Sequence, residues 1–356
     1  MRGHHSYCAA IFRRLAGVIS ASAALAAVVF LPVRSLPANA AESEPKPAAF
    51  TAEPITPIEA PSGLDRAKVA IGEELFGDVR LSHGDQLACL TCHPLNQGGT
   101  DHSALRASPA DGAPLDYNIP GIFNAVLNFR FNWRGQFRTI EEQNESVLLN
   151  PSLMMNASWE ELLSRLRADP VYRDSFAVSY GGPVERTFVL DALASYERSL
   201  VTPDAQFDRY LRGDKTAITP AEEEGYRLFK SLGCVSCHQG ANVGGNLFER
   251  FGVFEEPYPL GASVRPVDLG RFSITGKERD RYVFRVPSLR NIAQTAPYFH
   301  DGSAPTLKMA VRVMAQKQLG RRLTGDEIDL LVGFLKTLTG EYLGHSLTGS
   351  VVGHAE

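Results

Sequence analysis

The chain has 356 residues, of which 44% are hydrophobic and 21% are charged, and its formal net charge is -4. These proportions are ordinary for a globular protein, and the length allows two domains or one large one. The small negative charge, without a dense basic stripe, gives no basis for binding nucleic acid.

Residues 1–40 have the pattern of an export signal. Arg13 and Arg14 precede the small and apolar run 15–31, which leads to an A-N-A triplet ending at Ala40. A basic start, an apolar centre and a small-residue end predict a secretory signal peptide that is cut near Ala40. A membrane anchor is the alternative, but Ser and Gly interrupt the run, which is shorter than the ~20 apolar residues of a membrane span.

Beyond the signal peptide, the sequence predicts a mobile lead-in followed by helices. Residues 41–63 are rich in Pro and Ala and have no sustained periodicity, which is typical of a mobile segment. From residue 64 onward, several windows place apolar residues at helical spacing, and no convincing run of alternating strands appears. The fold class is therefore mainly α. The predicted helices are one that begins near Leu64, then Thr139–Leu149, Trp159–Ala168, Val184–Ser199, Pro220–Leu232, Thr306–Gln318 and Asp326–Leu338.

The cysteines of the predicted mature chain all belong to C-x-x-C-H motifs. Cys8 precedes the apolar run and is removed with the signal peptide, and the remaining cysteines form two motifs. These motifs comprise Cys89, Cys92 and His93, then Cys234, Cys237 and His238. Two thiols attach a c-type haem and the adjacent histidine binds its iron, so the pattern predicts two haems. Disulfides or a zinc site are the alternatives, but two complete motifs favour haem.

The two motifs lie in loosely related surroundings, "EELFGDVRLSHGDQLACLTCH" and "YRLFKSLGCVSCH". The repetition predicts two tandem cytochrome c-like haem domains. We place them at residues 64–205 and 206–343, with a tail over residues 344–356. The segment Val201–Asp214 is punctuated by Pro and Asp and contains the predicted boundary.

The sixth ligand of the second haem iron has three candidates on the residues alone: His300, Met309 and Met314. The two methionines lie five positions apart on one predicted helix, so they point in different directions. A thioether ligand would raise the reduction potential of that haem. A methionine on an amphipathic helix is, however, often a core residue.

Further stretches carry a resemblance to a known family. "FDRYLRGD", "FERFGVF" and "GRFSITGKERDRYVFRVPSLRNIAQTAPYFHDG" resemble the bacterial di-haem cytochrome c peroxidase family, which also includes the maturation enzyme of methylamine dehydrogenase. The resemblance runs from about Ala67 to Leu343. It implies two mainly α cytochrome c-like domains with calcium between them. The N-terminal haem would meet peroxide and the C-terminal haem would receive electrons.

The resemblance implies roles for residues near the second haem. Met314 follows the P-Y-F-H-D-G motif on the next helix, where the family has its methionine ligand. The maturation enzyme uses a tyrosine instead, and this sequence has none between Tyr298 and Tyr342. Trp133 falls on the family tryptophan that lies between the two haems. The resemblance therefore favours the peroxidase-like arrangement.

The resemblance also implies calcium ligands and a peroxide-pocket residue. Asn118 would bind calcium through its side chain, and Thr295 and Pro297 through their carbonyl oxygens, in keeping with calcium's preference for oxygen donors. Gln143 matches a family glutamine that faces the peroxide pocket, where it can only form hydrogen bonds.

The sequence departs from the family in the loop after the first motif. Ser108-Pro109-Ala110 stands where the family has a histidine that caps the resting N-terminal haem. His102 is the nearby substitute, either as an iron ligand or as a plain loop histidine. Without it, the iron would be five-coordinate or would carry water.

A second departure removes the family's catalytic acid. The family's N-P-x-E-M segment reads Asn150-Pro151-Ser152-Leu153-Met154, and leucine cannot move a proton. Losing general acid–base help typically costs about 10²–10⁴-fold in rate. The nearby Glu141, Glu142 and Glu145 are candidates to replace the missing acid. The pattern of the first two favours a solvated helix face instead.

Together these features predict a periplasmic di-haem enzyme that reduces hydrogen peroxide with electrons from a small cytochrome c or a cupredoxin. Two alternatives stay open because of Leu153. One is a maturation-enzyme-like or oxygenase-like enzyme that acts on another substrate. The other is a two-haem electron carrier. A homodimer is compatible with either reading.

Overall fold

The computed structural model describes residues 53–258, 261 and 263–347. The predicted signal peptide over residues 1–40 lies outside this part of the chain. Among the residues described, no helix is long and apolar enough to cross a membrane.

The chain folds mainly into α-helices joined by long loops. The helices are α1 (Arg66–Gly77), α2 (Cys89–Cys92), α3 (Ile140–Leu148), α4 (Trp159–Ala168), α5 (Pro170–Tyr180), α6 (Arg186–Ser199), α7 (Gln206–Leu211), α8 (Pro220–Ser231), α9 (Phe272–Thr275), α10 (Leu307–Leu319) and α11 (Gly325–Lys336). The strands are β1 (Phe248–Arg250), β2 (Val283–Arg285), β3 (Glu341–Tyr342) and β4 (His345–Ser346). They form two small antiparallel sheets, β1 with β2 and β3 with β4. The predicted mainly α fold is confirmed.

Each helix predicted from apolar periodicity is present, with ends that differ by only a few residues. The caps agree with the sequence signals. Thr219 accepts a hydrogen bond from the Glu222 N–H at the start of α8, and Glu222 bonds back to the Thr219 N–H. Helices α5 and α7 and the four-residue helices α2 and α9 were not predicted. The six-residue α7 lies inside the predicted connector Val201–Asp214 and is held by Phe207, which is fully buried.

Two large hydrophobic cores and one small cluster, which is formed by Tyr298, Ala304 and Ala310, lie within the described residues. The first contains apolar residues of α1 and α3–α6, and the second contains residues of α7, α8 and α11. The change from one core to the other falls between Leu200 and Phe207. This position lies within the predicted connector.

The segments at the two ends of the described chain differ from their predictions. Residues 53–63 were predicted as part of a mobile lead-in, but Ile55 and Ile58 are each only 1% exposed, and Ile55 packs in the second core. Residues 344–347 were predicted as tail, but the β3–β4 hairpin extends into them and Leu347 packs in the first core. These apolar residues contact partners far away in sequence, so local periodicity carries no sign of their burial.

The same kind of helix crossing occurs in each core. Helix α1 crosses α6 at Gly72, where an added Cβ would lie 2.0 Å from the Ala192 carbonyl oxygen. Helix α8 crosses α11 at Gly225, where an added Cβ would lie 2.0 Å from the Leu330 carbonyl oxygen. Each glycine begins a G-x-x-L-F sequence, and each of the two helices precedes a C-x-x-C-H motif. The backbones approach so closely because neither glycine has a side chain.

Gly225→Ala is expected to lower the free energy of unfolding by about 1–3 kcal/mol, because the new methyl group forces α8 away from α11. Urea unfolding followed by circular dichroism measures the change. Gly333→Ala on α11 is the matched control, since its nearest neighbour is the Glu222 Cγ at 3.8 Å. That variant is expected to keep its stability or to gain up to about 1 kcal/mol from better helix propensity. Equal losses in both variants would contradict the close-crossing account.

Candidate haem centres

The first C-x-x-C-H motif is one turn of helix. Helix α2 comprises Cys89–Cys92, and the His93 N–H donates to the Cys89 carbonyl oxygen at 2.9 Å. The Thr91 hydroxyl accepts a hydrogen bond from the Ala88 N–H at 3.0 Å and so caps this turn. The fold therefore holds the two thiols and the histidine close together, as haem attachment requires.

The His93 ring is held in one tautomer. Its Nδ1 lies 3.0 Å from the Gly99 carbonyl oxygen, and a carbonyl can only accept, so Nδ1 carries the proton. Burial lowers the pKa of His93, which favours the neutral ring. The lone pair of Nε2 is then free to bind a metal, as in haem proteins with a proximal histidine.

The second motif reproduces this arrangement with a different loop. The His238 Nδ1 lies 3.3 Å from the Val243 carbonyl oxygen, and burial lowers the pKa of His238 to about 4. Val243 has a φ of +48°, which is strained for a β-branched residue. An added Cβ at the following Gly244 would lie 2.2 Å from the Pro287 carbonyl oxygen. The loop thus accepts strain while presenting the same neutral imidazole as the first motif.

A cavity of about 520 Å³ lies beside the second motif. Its volume is within the usual range of small-molecule and cofactor sites, and most of its wall is apolar. Cys234, Cys237, His238 and Met314 all line it, together with apolar residues that include Phe251, Phe284, Val286, Leu307, Val311 and Leu331. The residues present therefore fit a haem attached to the two cysteines.

The structure separates the three candidates for the sixth ligand of the second iron. Met314 lines the cavity with His238, whereas Met309 on the same helix is 38% exposed. His300 also lines the cavity, but its Nε2 lies 3.0 Å from the Asp268 carboxylate and its ring stacks on Phe284. The cavity thus brings Met314 together with His238, and His300 is engaged elsewhere.

One wall of this cavity is formed by residues from the first half of the chain, and Trp133 lies in that wall. Gly98, Gly121 and Phe123 line the same wall, and Gly98 follows the first motif closely. The Trp133 indole N–H donates to the Asn118 carbonyl oxygen at 2.8 Å, which fixes the ring. Trp133 thus lines one cavity together with the second motif and with Gly98 of the loop after the first.

The predicted calcium ligands lie beside Trp133. Asn118 is 5% exposed, and its amide nitrogen donates to the carbonyl oxygens of Pro297 at 2.7 Å and Phe299 at 3.1 Å. Thr295 lines the same wall. In this orientation the amide presents N–H groups where calcium would need oxygen. Among the described residues, no group of three or more His, Cys, Asp or Glu residues could hold a metal ion.

His102 is held by backbone oxygens on both sides of its ring. Its Nδ1 lies 2.9 Å from the Ala296 carbonyl oxygen, and its Nε2 lies 2.9 Å from the Gln97 carbonyl oxygen. Both ring nitrogens thus face backbone carbonyl oxygens in this arrangement. The geometry is that of a loop histidine that links the first motif's loop to the segment before Pro297.

Gln143 on α3 has an unsatisfied oxygen. Its Oε1 is buried and has no hydrogen-bond partner among the described residues. Buried polar atoms are rarely left unpaired, so an orphaned acceptor points to a donor that arrives with a ligand. Leu153, in the turn after α3, has an apolar side chain that can donate no hydrogen bond.

The three acids of α3 are all engaged. Glu141 pairs with Arg198, Glu145 pairs with Arg186 at 2.6 Å, and Glu142 accepts a backbone N–H. Burial alone would raise the pKa of Glu141 and Glu145, but their arginine partners leave both pKa values below the usual range. At neutral pH Glu141 and Glu145 are therefore carboxylates without a proton to donate.

The sequence reasoning missed several buried charged residues, among them Glu197 and Arg285. Glu197 on α6 is 5% exposed and faces Asn144 of α3. Burial raises the pKa of the Cys89 thiol, and the charge of Glu197 raises it further. Burial raises the pKa of Glu197 to about 7. Arg285 on β2 is also 5% exposed and lines the cavity. A single charged residue in a short segment carries no sequence signal of burial, because burial depends on distant elements.

Comparisons with known proteins agree with this geometry. The chain matches the family described as di-haem cytochrome c peroxidase over residues 66–216. It is 39% identical over 290 residues to the cytochrome c peroxidase Ccp of Escherichia coli K12. The matched region covers 82% of this chain but only 62% of that protein. It is 42% identical over 294 residues to the cytochrome c551 peroxidase of Nitrosomonas europaea, covering 81% and 85% of the two chains.

Among solved structures, a MauG-like protein associated with microbial copper homeostasis has a TM-score of 0.69 and 27% identity, covering 83% of this chain and 96% of that one. The family implies two c-type haems, and the two C-x-x-C-H motifs provide a place for each. With these similarities, the chain belongs to the di-haem cytochrome c peroxidase family and is a di-haem oxidoreductase.

Proposed function

We propose that the protein is a periplasmic peroxidase that converts hydrogen peroxide, two protons and two electrons into two molecules of water. A small cytochrome c or a cupredoxin would donate the electrons. The observation that carries this proposal is the cavity shared by His238 and Met314, with Trp133 in its wall. The bound haems would supply the redox chemistry, and the polypeptide would set their ligands and surroundings.

Each tandem domain holds one haem in this proposal. Residues 64–205 form the N-terminal domain and residues 206–343 the C-terminal domain. The two cores and the two glycine crossings, at Gly72 and Gly225, support this division. The attachment residues are Cys89, Cys92 and His93 in the first domain, and Cys234, Cys237, His238 and the sixth ligand Met314 in the second.

Trp133 carries electrons between the two domains in this proposal. It lines the cavity beside the second motif, and Gly98 of the loop after the first motif lines the same cavity. The hydrogen bond to Asn118 fixes its position. Asn118, Thr295 and Pro297 would bind calcium next to it after the Asn118 amide turns to present its oxygen.

The first domain would bind peroxide at an open iron position. His102 has both nitrogens on carbonyl oxygens, so it does not close that position. The free oxygen of Gln143 would accept a hydrogen bond from peroxide. Proton transfer is the weak step, because Leu153 replaces the family acid and the carboxylates of α3 are paired.

A second candidate function follows from the same residue. Without an acid at Leu153, the enzyme could act on a substrate that brings its own proton donor, such as a side chain of a partner protein. The similarity to a MauG-like structure supports this candidate. A peroxide assay separates the two candidates directly.

Leu153→Glu is expected to raise peroxide turnover by about 10²–10⁴-fold, because it restores general acid–base catalysis. The measurement is oxidation of reduced cytochrome c by peroxide, with both haems loaded. Leu153→Gln is the control, since it adds a polar group of similar size that cannot exchange a proton at neutral pH. Equal gains in both variants would refute the missing-acid argument. No turnover in the wild type or in Leu153→Glu would contradict the peroxidase proposal.

Met314→Ala is expected to lower the reduction potential of the second haem and to remove its low-spin methionine-ligated spectrum, because a thioether ligand favours the ferrous state. Redox titration followed by absorption spectroscopy measures both effects. Met309→Ala on the same helix is the matched control and should change neither, since Met309 points to solvent. A Met314→Ala protein with wild-type potential and spectrum would show that another residue binds the iron.

A further inference from the structure

Arg285 is a buried cation with no carboxylate partner in the part of the chain that the structure describes. Among the described residues, no acidic oxygen lies within 4.0 Å of its guanidinium, although its side chain is buried. Its closest side-chain contact is a hydrogen bond from Nη1 to the Asn128 Oδ1 at 2.9 Å. Two longer contacts, each 3.4 Å, reach the carbonyl oxygens of Asn132 and Val286. All of these acceptors are neutral.

Arg290, in the same F-R-V-P-S-L-R-N stretch, shows the contrasting case. Its Nη1 lies 2.8 Å from the Asp208 carboxylate, and the two side chains are 1% and 0% exposed. Burying a charge is strongly unfavourable unless an opposite charge accompanies it. Among the residues that the structure describes, one buried arginine therefore has an acid as its partner and the other has none. This difference suggests a bound group as the source of an anion for Arg285.

The position of Arg285 in the cavity indicates which bound group could supply that anion. Arg285 lines the cavity shared by His238 and Met314, and its backbone N–H donates to the Trp133 carbonyl oxygen at 2.9 Å. Glu249 also lines the cavity, but it lies beside Cys237, whose pKa it raises after the larger effect of burial. The cation is thus fixed on the Trp133 side of a largely apolar cavity.

The acceptor next to Arg285 is also held in a defined orientation. Asn128 Oδ1 accepts a second hydrogen bond, from the Asn242 Nδ2 at 3.0 Å. Two donors on the same oxygen assign that atom as the acceptor. Within the described residues, Nη1 therefore has one short hydrogen bond, and the other contacts of the guanidinium are the two longer ones to backbone carbonyl oxygens.

We propose that Arg285 binds a propionate carboxylate of the haem attached at Cys234 and Cys237, and so turns the propionate edge of that haem toward Trp133. This rests on the proposed function, which places a haem in the cavity. The two propionates are the anionic groups of a haem, and the rest of its rim suits the apolar wall. A fixed cation beside the haem also favours the ferrous state and would raise its potential.

Two variants of the haem-loaded protein test the proposal. Arg285→Gln removes the charge and is expected to lower the potential of the second haem and to shift its propionate bending band in the resonance Raman spectrum. Arg285→Lys keeps the charge with a different donor geometry, so it should shift that band while keeping a potential near that of the wild type. Arg281→Gln is the control for net charge, because Arg281 forms a surface pair with Glu278 and should change neither readout.

The outcomes distinguish a failure of the propionate proposal from a failure of the proposed function on which it rests. The absorption spectrum first reports whether a methionine-ligated haem is present at His238. If that haem is bound and both Arg285 variants have wild-type potential and Raman bands, the propionate proposal is wrong and the proposed function stands. If no haem is attached at the second motif of the wild type, both proposals are wrong. A shifted band in Arg285→Lys supports the proposal even if Arg285→Gln does not fold.

Discussion

The hydrogen bond from a histidine Nδ1 to a backbone carbonyl, made once in each motif, is the constraint on which both haem centres depend. It fixes the proton on Nδ1 of His93 and His238 and leaves Nε2 available for iron. Each loop must turn back sharply to supply its carbonyl. Gly98 and Gly99 do so with positive φ in the first loop, and Val243 accepts a strained φ in the second. Burial then keeps both rings neutral.

The two centres differ in what surrounds this shared arrangement. The second has an apolar cavity with Met314 in its wall, which suits a haem that stores electrons. The first has an orphaned amide oxygen on Gln143, a leucine in place of an acid, and a histidine whose nitrogens are both occupied. It suits a haem that is open to a small molecule but is poorly supplied with protons.

The parts of this picture that depend on local pattern could be predicted from the sequence. Helix periodicity located α1, α8 and the other long helices except α5, and the C-x-x-C-H spacing predicts the attachment residues. The spacing of Met309 and Met314 showed that they face different directions, but only the cavity shows which one faces His238. The burial of Ile55, Glu197 and Arg285 could not be predicted, because each depends on contacts with elements far away in the chain.

The central claim is that the first haem has an open position and the second is closed by Met314. Electron paramagnetic resonance of the resting and half-reduced protein tests it most directly, because the two spin states give separate signals. We expect a high-spin ferric signal from the first haem. We also expect a low-spin signal from the second, which disappears first on reduction. Two low-spin signals, with no high-spin component and no cyanide binding, would contradict the claim.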